Sequence, residues 1–346
     1  MSRMLEEIQQ QPEALARTLA SQIRPVERLK RLFEKRRPRL VVLVARGTSD
    51  NAALFGRYLL EITAGIPVSL CAPSIATLYH ARVNYRDALV VAISQSGEST
   101  DTNLVLERAR AQGACTLGIT NESASTLARI AEHVLLVRAG REKSVAATKT
   151  YTGQMLMMYL LAYALGGRVR IADLELVPGV VEQTLALEPA IDDLSSRYRF
   201  MRHAVVVGRG LNYSNAFEFA LKLMETCYVV AERFSSADFL HGPIALVEPS
   251  FPVFAFAPPG KTWPSIGETL AKLKGLHAEI VAITDAGNRE IGDRATKIIR
   301  LPRRLKEVLT PIPYILPGQI FAACLAAQKG LDPDQPRTIS KVTLTL

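Results

Sequence analysis

The chain has few cysteines and no long apolar run. The four cysteines are widely scattered: Cys71, Cys115, Cys227 and Cys324. They form no paired spacing and stand in apolar contexts, which indicates buried thiols in a reducing compartment rather than a disulfide framework. No apolar run approaches the ~20 residues of a membrane-spanning helix, and the acidic start of the chain lacks the apolar core of a signal peptide. The sequence therefore predicts a cytoplasmic protein with no membrane partner.

Histidine is also scarce, which bears on metal binding. The five histidines stand far apart: His80, His133, His203, His241 and His277. Their spacing matches no metal-binding motif. The sequence therefore predicts no metal and no other cofactor.

Positive charge is in excess, with a formal net charge of +9 at pH 7. Such an excess fits either nucleic-acid binding or an anionic small substrate. The densest basic cluster, from Arg31 to Arg39, is typical of the solvated end of a helix. Because no aromatic residues are interleaved with it and no helix-turn-helix pattern is present, we favour a small anion and expect no nucleic-acid partner.

The two halves of the chain repeat one another. Leu40 to Gly47 in the first half has a counterpart in Ala204 to Gly210 of the second, and each segment ends in Arg-Gly. A polar turn, an Asn-Ala pair and a helical pattern follow in both halves, and each pattern reaches a glutamate, Glu61 or Glu225. Self-similarity over about 150 residues indicates a duplicated domain.

Short apolar runs alternate with helical patterns in both halves, which predicts α/β domains with parallel sheets covered on both faces. We therefore expect two tandem doubly wound, flavodoxin-like sheets in three αβα layers. The predicted strands lie near Leu40–Val44, Val68–Leu70, Ala88–Ile93, Cys115–Ile119, Val134–Val137, Ala204–Val207, Tyr228–Val230, Val253–Ala257, Glu279–Ile283 and Lys297–Leu301. The predicted organisation is a helical segment (1–38, with interruptions near Pro12 and Pro25), a first domain (39–172), a linker (173–195), a second domain (196–330) and a tail carrying Lys341 (331–346).

A hydroxyl-rich turn follows the third predicted strand of the first half. Its sequence is Ser94-Gln95-Ser96-Gly97-Glu98-Ser99-Thr100, and a helical pattern comes after it. Unpaired amides at a helix N-terminus, with several hydroxyls and one glycine, suit a phosphate. The alternative is a plain N-cap by Ser99 or Asp101. The second half has Pro258-Pro259-Gly260 instead, so we expect one phosphate site per chain, in the first half.

Candidates for chemistry lie mainly in the second half. Glu218, Lys222 and Glu225 are spaced to share one helix face, with the apolar Phe217, Leu221 and Met224 expected to face the core. Taken alone, that row is more typical of surface ion pairs than of a catalytic site. His241 stands in a predicted turn, where it could serve as an acid or base or simply bond the backbone. Lys341, near the chain end, is either solvated or desolvated against a carbonyl.

Several motifs then occur together in one order along the whole chain: Gly47-Thr48-Ser49, Ser94 to Glu98, Val145-Ala146-Ala147-Thr148-Lys149, Glu218 to Glu225, His241-Gly242-Pro243, and Asp334 to Lys341. In these motifs the chain resembles the sugar-isomerase (SIS) double-domain family, as in the isomerase half of glucosamine-6-phosphate synthase. The resemblance implies a phosphorylated amino sugar as substrate and a homodimer, with His241 completing the neighbouring subunit's site.

The resemblance also implies residue roles. Thr48, Ser49, Ser94, Gln95, Ser96 and Ser99 would bind the phosphate, and Val145, Ala146 and Ala147 would line the substrate site. Glu225 would move a proton between C1 and C2, with Lys222 beside it. His241 would help to open the sugar ring, and Lys341 would lie by the carbonyl as an imine former.

Two departures from the synthase pattern shape the functional hypotheses. Ala147 replaces a serine, and only residues 1–38 precede the first predicted strand, where the synthases carry a glutaminase domain. We therefore expect a relative without its own ammonia source, most simply a glucosamine-6-phosphate deaminase that produces fructose 6-phosphate. Alternatives are a deglycase of phosphorylated fructosamine-type adducts, a glutaminase-less aminotransferase/isomerase and a sugar-phosphate sensor without turnover.

Overall fold

A computed structural model describes residues 1–339 and 341. The described chain divides into two compact units. The first-repeat unit contains residues 10–143, 147–176, 338, 339 and 341, and the second-repeat unit contains residues 1–9, 144–146 and 177–337. Among the described residues, no helix is both long and apolar enough to cross a bilayer.

Each unit is built around one parallel five-stranded sheet. The strands are β1 (Leu40–Val44), β2 (Val68–Leu70), β3 (Ala88–Ile93), β4 (Cys115–Thr120), β5 (His133–Leu136), β6 (His203–Gly208), β7 (Val230–Ser235), β8 (Pro252–Phe256), β9 (Glu279–Asp285) and β10 (Lys297–Leu301). Their order is β2-β1-β3-β4-β5 in the first sheet and β10-β9-β8-β6-β7 in the second. Counted within each repeat, both sheets have the order 2-1-3-4-5, which is the flavodoxin-like arrangement. The predicted α/β fold of two tandem doubly wound sheets is confirmed.

Helices connect the strands and cover the sheets. They are α1 (Arg3–Gln9), α2 (Gln11–Lys35), α3 (Thr48–Ala64), α4 (Ser74–Thr77), α5 (Thr100–Ala111), α6 (Thr126–Ile130), α7 (Lys149–Ala164), α8 (Ile171–Leu174), α9 (Val177–Leu185), α10 (Glu188–Ser196), α11 (Tyr213–Cys227), α12 (Ser236–Leu240), α13 (Trp263–Gly275) and α14 (Pro311–Gln328). Strand β3 is buried along its whole length, and it packs against α5 and α6 in one core cluster of the first-repeat unit. Burial on both sheet faces explains why β3 is a continuous apolar run.

Three local features differ from the sequence prediction. β7 begins at Val230 rather than at Tyr228, because Tyr228 adopts the left-handed conformation (φ 53°) that ends α11. Pro25 lies inside the continuous helix α2, where the packing of Val26 and its neighbours offsets the missing N–H bond. The segment 173–195 contains α9 and most of α10, and Val177, Val180, Val181 and Ile191 of these helices are buried.

Candidate active site

Two hydroxyl-bearing segments lie at one edge of the first sheet. β1 pairs with β3 in parallel, with Val44 opposite Ala92, so the carboxyl ends of both strands meet there. The strand order also reverses between β1 and β3. In doubly wound sheets, ligands bind at this kind of switch point. The fold therefore brings Thr48 and Ser49, which begin α3, to the same edge as the turn after β3.

The turn after β3 is held by its own serines. Ser94 Oγ accepts a hydrogen bond from the Gly97 amide (3.1 Å), and Ser96 Oγ accepts one from the Glu98 amide (3.3 Å). A hydroxyl that accepts a bond retains its own O–H as a donor. Ser94 is buried, whereas Gln95 and Ser96 are partly exposed. The turn is thus ordered by internal bonds and keeps hydroxyl donors of the kind that bind anions.

Gly97 is the position in this turn that only glycine fits. Its φ is +68°, and a Cβ placed there would lie 2.2 Å from Ser125 Oγ. The Gly97 carbonyl accepts bonds from the Leu127 amide and from Asn103 Nδ2. The turn is therefore packed tightly between α5 and α6.

Ser99 differs from the other serines of the turn. It is the N-cap residue of α5 but forms no side-chain capping bond. Its hydroxyl instead donates to Asp101 Oδ1 at 2.8 Å. Asp101 is fully buried and forms an ion pair with Arg46, whose Nε lies 2.6 Å from Asp101 Oδ2. The plain N-cap predicted as an alternative is therefore not formed by Ser99.

Sequence reasoning did not single out Arg46 as a site residue. It lies two positions after β1, at the switch-point edge, and its side chain is half-exposed. The guanidinium has five N–H donors, of which the Asp101 bond uses one. Arg46 therefore adds positive charge to the edge that carries the serines. Ser49 lies there too: it is buried, and its Oγ accepts a bond from Gln154 Nε2 at 3.0 Å.

The corresponding turn of the second repeat is closed by a carboxylate from its own chain. Glu307 accepts bonds from the Lys261 amide (2.6 Å), the Thr262 amide (3.2 Å) and the Thr262 hydroxyl (2.7 Å). These donors lie directly before α13, where unpaired amides and the helix dipole favour an anion. The side chain of Glu307 thus takes the place where a phosphate would bind.

Helix α11 carries a buried charge cluster. Lys222 Nζ lies 3.3 Å from Glu218 Oε1 and 2.6 Å from Glu225 Oε2. Glu218 and Lys222 are fully buried, whereas the Glu225 side chain is 24% exposed. Burial alone would lower the pKa of Lys222, but the two carboxylates outweigh burial and raise this pKa above its ordinary value. Lys222 therefore stays protonated and holds the Glu225 carboxylate in place.

This burial corrects the predicted orientation of α11. Phe217, Leu221 and Met224, expected to face the core, are only partly buried. The apolar side chains with no exposed surface are instead Ala216, Phe219, Ala220 and Leu223. The interpretation as a row of surface ion pairs is also wrong. A prediction from hydrophobic periodicity puts charged side chains on the solvent face of a helix. In α11, however, the buried Lys222 is neutralised by Glu218 and Glu225.

His241 lies in a turn, as the Gly-Pro context predicts. It directly follows α12 and is exposed, and its amide donates to the Asp238 carbonyl at 3.1 Å. Gly242 follows with φ +141°. The imidazole is therefore presented at the surface of the second-repeat unit.

Lys341 belongs to the first-repeat unit and is paired. Its Nζ lies 2.8 Å from Glu142 Oε2, and the side chain of Glu142 is fully buried. Glu142 also accepts bonds from the amides of Thr148 and Thr150 and from the Thr150 hydroxyl, at the N-terminus of α7. Burial would raise the pKa of Glu142, but Lys341 and these donors hold it below its ordinary value. Sequence reasoning missed Glu142, and residues 340 and 342–346 of the tail lie outside the described residues.

The sequence of the chain matches one protein-domain family in both halves. The model of the SIS domain matches residues 35–164 and 199–327, which together exceed half of the chain. The chain belongs to the SIS-domain family. Each match contains one of the two sheets described above, so this SIS protein carries the domain twice.

Individual relatives agree with this assignment. The SIS chain is 33% identical over 340 residues to a glutamine–fructose-6-phosphate aminotransferase (isomerizing) of Aquifex aeolicus, covering 98% of this chain and 57% of the relative. It aligns with the C-terminal domain of glucosamine-fructose-6-phosphate aminotransferase from Francisella tularensis at TM-score 0.88 and 29% identity, over 97% and 98% of the two chains. A glucosamine-6-phosphate deaminase of Thermotoga maritima shares the fold (TM-score 0.75, 21% identity, 99% and 100% coverage).

The predicted substrate-lining segment of the SIS chain is divided between the units. Val145 and Ala146 belong to the second-repeat unit, and Ala147 to the first-repeat unit. Val145 and Ala147 are partly buried, whereas Ala146 is fully buried. Only Val145 and Ala147 therefore present side-chain surface in this structure.

Proposed function

We propose that the protein deaminates an amino-sugar phosphate, converting glucosamine 6-phosphate and water to fructose 6-phosphate and ammonia. The observation that carries the proposal is the α11 charge cluster. A catalytic carboxylate must be accessible to the substrate. The Glu225 side chain is partly exposed, and the buried ammonium of Lys222 lies 2.6 Å from one of its carboxylate oxygens. Neither a structural ion pair nor a simple binding surface needs a carboxylate that is anchored on one side and exposed on the other.

In this proposal the first-repeat unit binds the phosphate. The hydroxyls of Ser94 and Ser96 donate hydrogen bonds to the phosphate. The other phosphate-binding residues are Thr48, Ser49, Gln95 and Ser99. Arg46 adds a half-exposed guanidinium, which pairs well with phosphate oxygens. Hydrogen bonds to charged groups contribute about 1.5–3 kcal/mol each. Binding the phosphate fixes one end of the open-chain sugar and so limits the positions of its carbons.

The proposed chemistry is a proton transfer followed by hydrolysis. Glu225 removes the C2 proton of the open-chain aldehyde and returns it to C1, which leaves an imine at C2. Water adds to that carbon and ammonia leaves. Lys222 orients Glu225, His241 assists ring opening, and Lys341 lies by the carbonyl. A placed carboxylate typically accelerates such a transfer by about 10²–10⁴-fold.

The relatives support this choice of substrate class. The Aquifex aeolicus relative is named a glutamine–fructose-6-phosphate aminotransferase (isomerizing), and fructose 6-phosphate is also the product proposed for this chain. The chain spans 57% of that relative's length, so the activity of the whole relative is not carried over. We propose only the proton transfer and the hydrolysis of an amino-sugar phosphate, and assign both steps to the two SIS domains.

The test is a substrate panel with the purified chain, in which ammonia and fructose 6-phosphate are measured as products. Ammonia release from glucosamine 6-phosphate supports the proposal. Release of an amino acid from phosphorylated fructosamine adducts, with no ammonia from glucosamine 6-phosphate, contradicts it in favour of a deglycase. Saturable binding of both compounds without any product over hours contradicts it in favour of a sensor.

We also propose a homodimer in which His241 completes the neighbouring subunit's site. Mixed dimers of His241→Ala and Glu225→Gln subunits test this arrangement. Partial recovery of activity, relative to either variant alone, supports a shared site. No recovery, with mixed dimers demonstrated by mass, contradicts sharing.

A further inference from the structure

Three metal-ligating side chains lie together at the amino-terminal edge of the first sheet. β4 begins at Cys115 and β5 begins at His133, directly after Glu132. His133 is paired with Leu117, and Cys115 precedes Leu117 by two residues, so Cys115 and His133 share a sheet face. The sulfur, the ring nitrogen and a carboxylate oxygen all lie within 4.8 Å of one another.

The geometry of this cluster is close to that of a coordination sphere. Glu132 Oε1 lies 3.8 Å from His133 Nε2. In a tetrahedral zinc site with bonds of about 2.0–2.3 Å, ligand atoms lie about 3.3–3.8 Å apart. The backbone of Glu132 is fixed to β4, because its amide donates to Thr116 Oγ1 at 3.0 Å. Small side-chain rotations on a fixed backbone would therefore bring the three atoms into range.

A second observation points to a ligand at the same place. His133 Nε2 is buried and has no hydrogen-bond partner among the described residues. A buried polar atom without a partner costs about 1–3 kcal/mol. The distance of 3.8 Å to Glu132 is too long for a hydrogen bond. A metal ion would satisfy this nitrogen and the carboxylate at once.

We propose that Cys115, Glu132 and His133 bind a divalent transition-metal ion of the zinc type. As the sulfur–metal bond forms, the thiol proton leaves to solvent, so one thiolate and one carboxylate balance the two positive charges. A cavity of 520 Å³ lined by Cys115 and Glu132 gives the ion access and leaves room for water in the remaining position. Thiolate, imidazole and carboxylate together form a donor set that zinc accepts.

Four arginines line the same cavity and oppose a cation: Arg37, Arg39, Arg110 and Arg36. Arg36 is the one whose charge acts on the Cys115 thiol. It pairs with Asp87 at 3.6 Å, and both side chains are largely exposed. Solvent and salt therefore screen its charge, whereas directly bonded ligands are not screened in this way.

A redox-sensing role for Cys115 is the main alternative. Burial and the Glu132 carboxylate raise the pKa of the Cys115 thiol to about 11. Reactive cysteines have a lowered pKa, since the thiolate is the form that is oxidised. The raised pKa therefore does not favour a redox-sensing role for Cys115.

The proposed metal site does not depend on the proposed function. It lies at the strand starts, at the opposite edge of the sheet from the turn after β3. Sequence spacing did not reveal it, because Cys115 and His133 come from different strands. A bound ion would join β4 to the edge strand β5 and stabilise that side of the first-repeat unit.

The test uses the full chain, freed of any histidine tag and stripped with a chelator. Zn²⁺ alone is titrated by calorimetry, and Co²⁺ is used as a spectroscopic probe of thiolate ligation in the near ultraviolet. We expect one ion per chain and a thiolate-to-cobalt band. Cys115→Ser should abolish the band, and His133→Gln should weaken Zn²⁺ binding about tenfold or more.

Cys71→Ser is the matched control, since Cys71 is a half-buried free cysteine of the same unit at the other edge of the sheet. It should keep both the band and the affinity. Circular dichroism establishes that each variant is folded. A band that survives Cys115→Ser, a band lost in Cys71→Ser, or no Zn²⁺ binding by the folded wild-type chain would overturn the proposal.

Discussion

The turn after β3 and the turn after β8 occupy equivalent places in the two repeats but satisfy their amides in different ways. In the first repeat, the hydroxyls of Ser94 and Ser96 accept bonds from the turn's amides and keep their own protons. In the second repeat, the carboxylate of Glu307 accepts bonds from Lys261 and Thr262. The turn after β3 therefore offers hydroxyl donors, whereas the turn after β8 already holds the carboxylate of Glu307.

Under the proposed function, this difference explains how a duplicated fold keeps one binding site. A helix N-terminus after a parallel strand favours an anion in both repeats. The second repeat satisfies that preference with its own side chain, which stabilises the unit but occupies the place of a ligand. The two equivalent glutamates also differ in their surroundings. Glu61 accepts a hydrogen bond from the Val68 amide and lies near the exposed Arg57. Glu225 is paired with the buried Lys222.

The largest effect is expected for a change at Glu225, compared with the same change at Glu61 in the first repeat. Glu225→Gln should lower kcat for ammonia release by about 10²–10⁴-fold, because the amide cannot accept the C2 proton. Glu61→Gln is the control and should leave kcat nearly unchanged. Steady-state kinetics on both variants decide the matter. Wild-type turnover in Glu225→Gln would remove Glu225 from the role of base.

The next effect contrasts two carboxylates at helix N-termini, Glu142, which is paired with a lysine, and Glu307, which accepts bonds from amides and a hydroxyl. Glu142→Gln should destabilise the chain by about 3 kcal/mol, because it removes the buried carboxylate of the ion pair with Lys341. Since the pKa of folded Glu142 is lowered, its stabilisation is present above the unfolded value of about 4.3 and is lost as pH falls through the folded value.

Denaturant unfolding of wild type and Glu142→Gln between neutral and acid pH measures this contribution. The difference in unfolding free energy should shrink as the pH falls. A double variant that also carries Lys341→Gln should recover part of the loss. A difference that is constant with pH would contradict the ion pair as its source.

A smaller effect concerns the serines of the first turn. Ser96→Ala should raise KM for glucosamine 6-phosphate about tenfold or more, since one hydrogen bond to a charged group contributes about 1.5–3 kcal/mol. Thr262→Ala, the matched change in the second turn, should leave KM unaltered and lower only stability. Equal effects of the two changes on KM would mean that the repeats do not differ as described.

The smallest effect concerns the internal anion of the second turn. Glu307→Ala should lower the unfolding free energy by about 1–2 kcal/mol, because three donors lose their acceptor and water replaces it in part. Added phosphate should stabilise the variant more than the wild type, because only the variant has the second turn open to an anion besides the proposed first-repeat site. Thermal unfolding with and without phosphate measures both. An unchanged melting temperature in the variant would show that Glu307 does not stabilise the turn.

The sequence predicted the sheets well because burial on both faces leaves little choice of residue. β3 begins and ends where its apolar run does. Contacts between distant residues were not predictable in this way. Glu142 meets Lys341 across 199 positions, and Glu307 meets Thr262 across 45. The burial of Lys222 was missed because helix periodicity assigns every charge to the surface, whereas neighbouring carboxylates can neutralise a charge inside.

Solvent exchange at the sugar carbons tests the central claim most directly. Glucosamine 6-phosphate is incubated with the wild-type chain in deuterium oxide, and the fructose 6-phosphate formed is examined by NMR. The C2 proton held by the Glu225 carboxyl can exchange with solvent before it reaches C1. If Glu225 carries this proton, C1 of the wild-type product therefore contains deuterium in the fraction that has exchanged, and Glu225→Gln forms product and label about 10²-fold or more slowly. Label at C1 that forms at the wild-type rate in Glu225→Gln, or no product at all from the folded wild-type chain, would contradict the account.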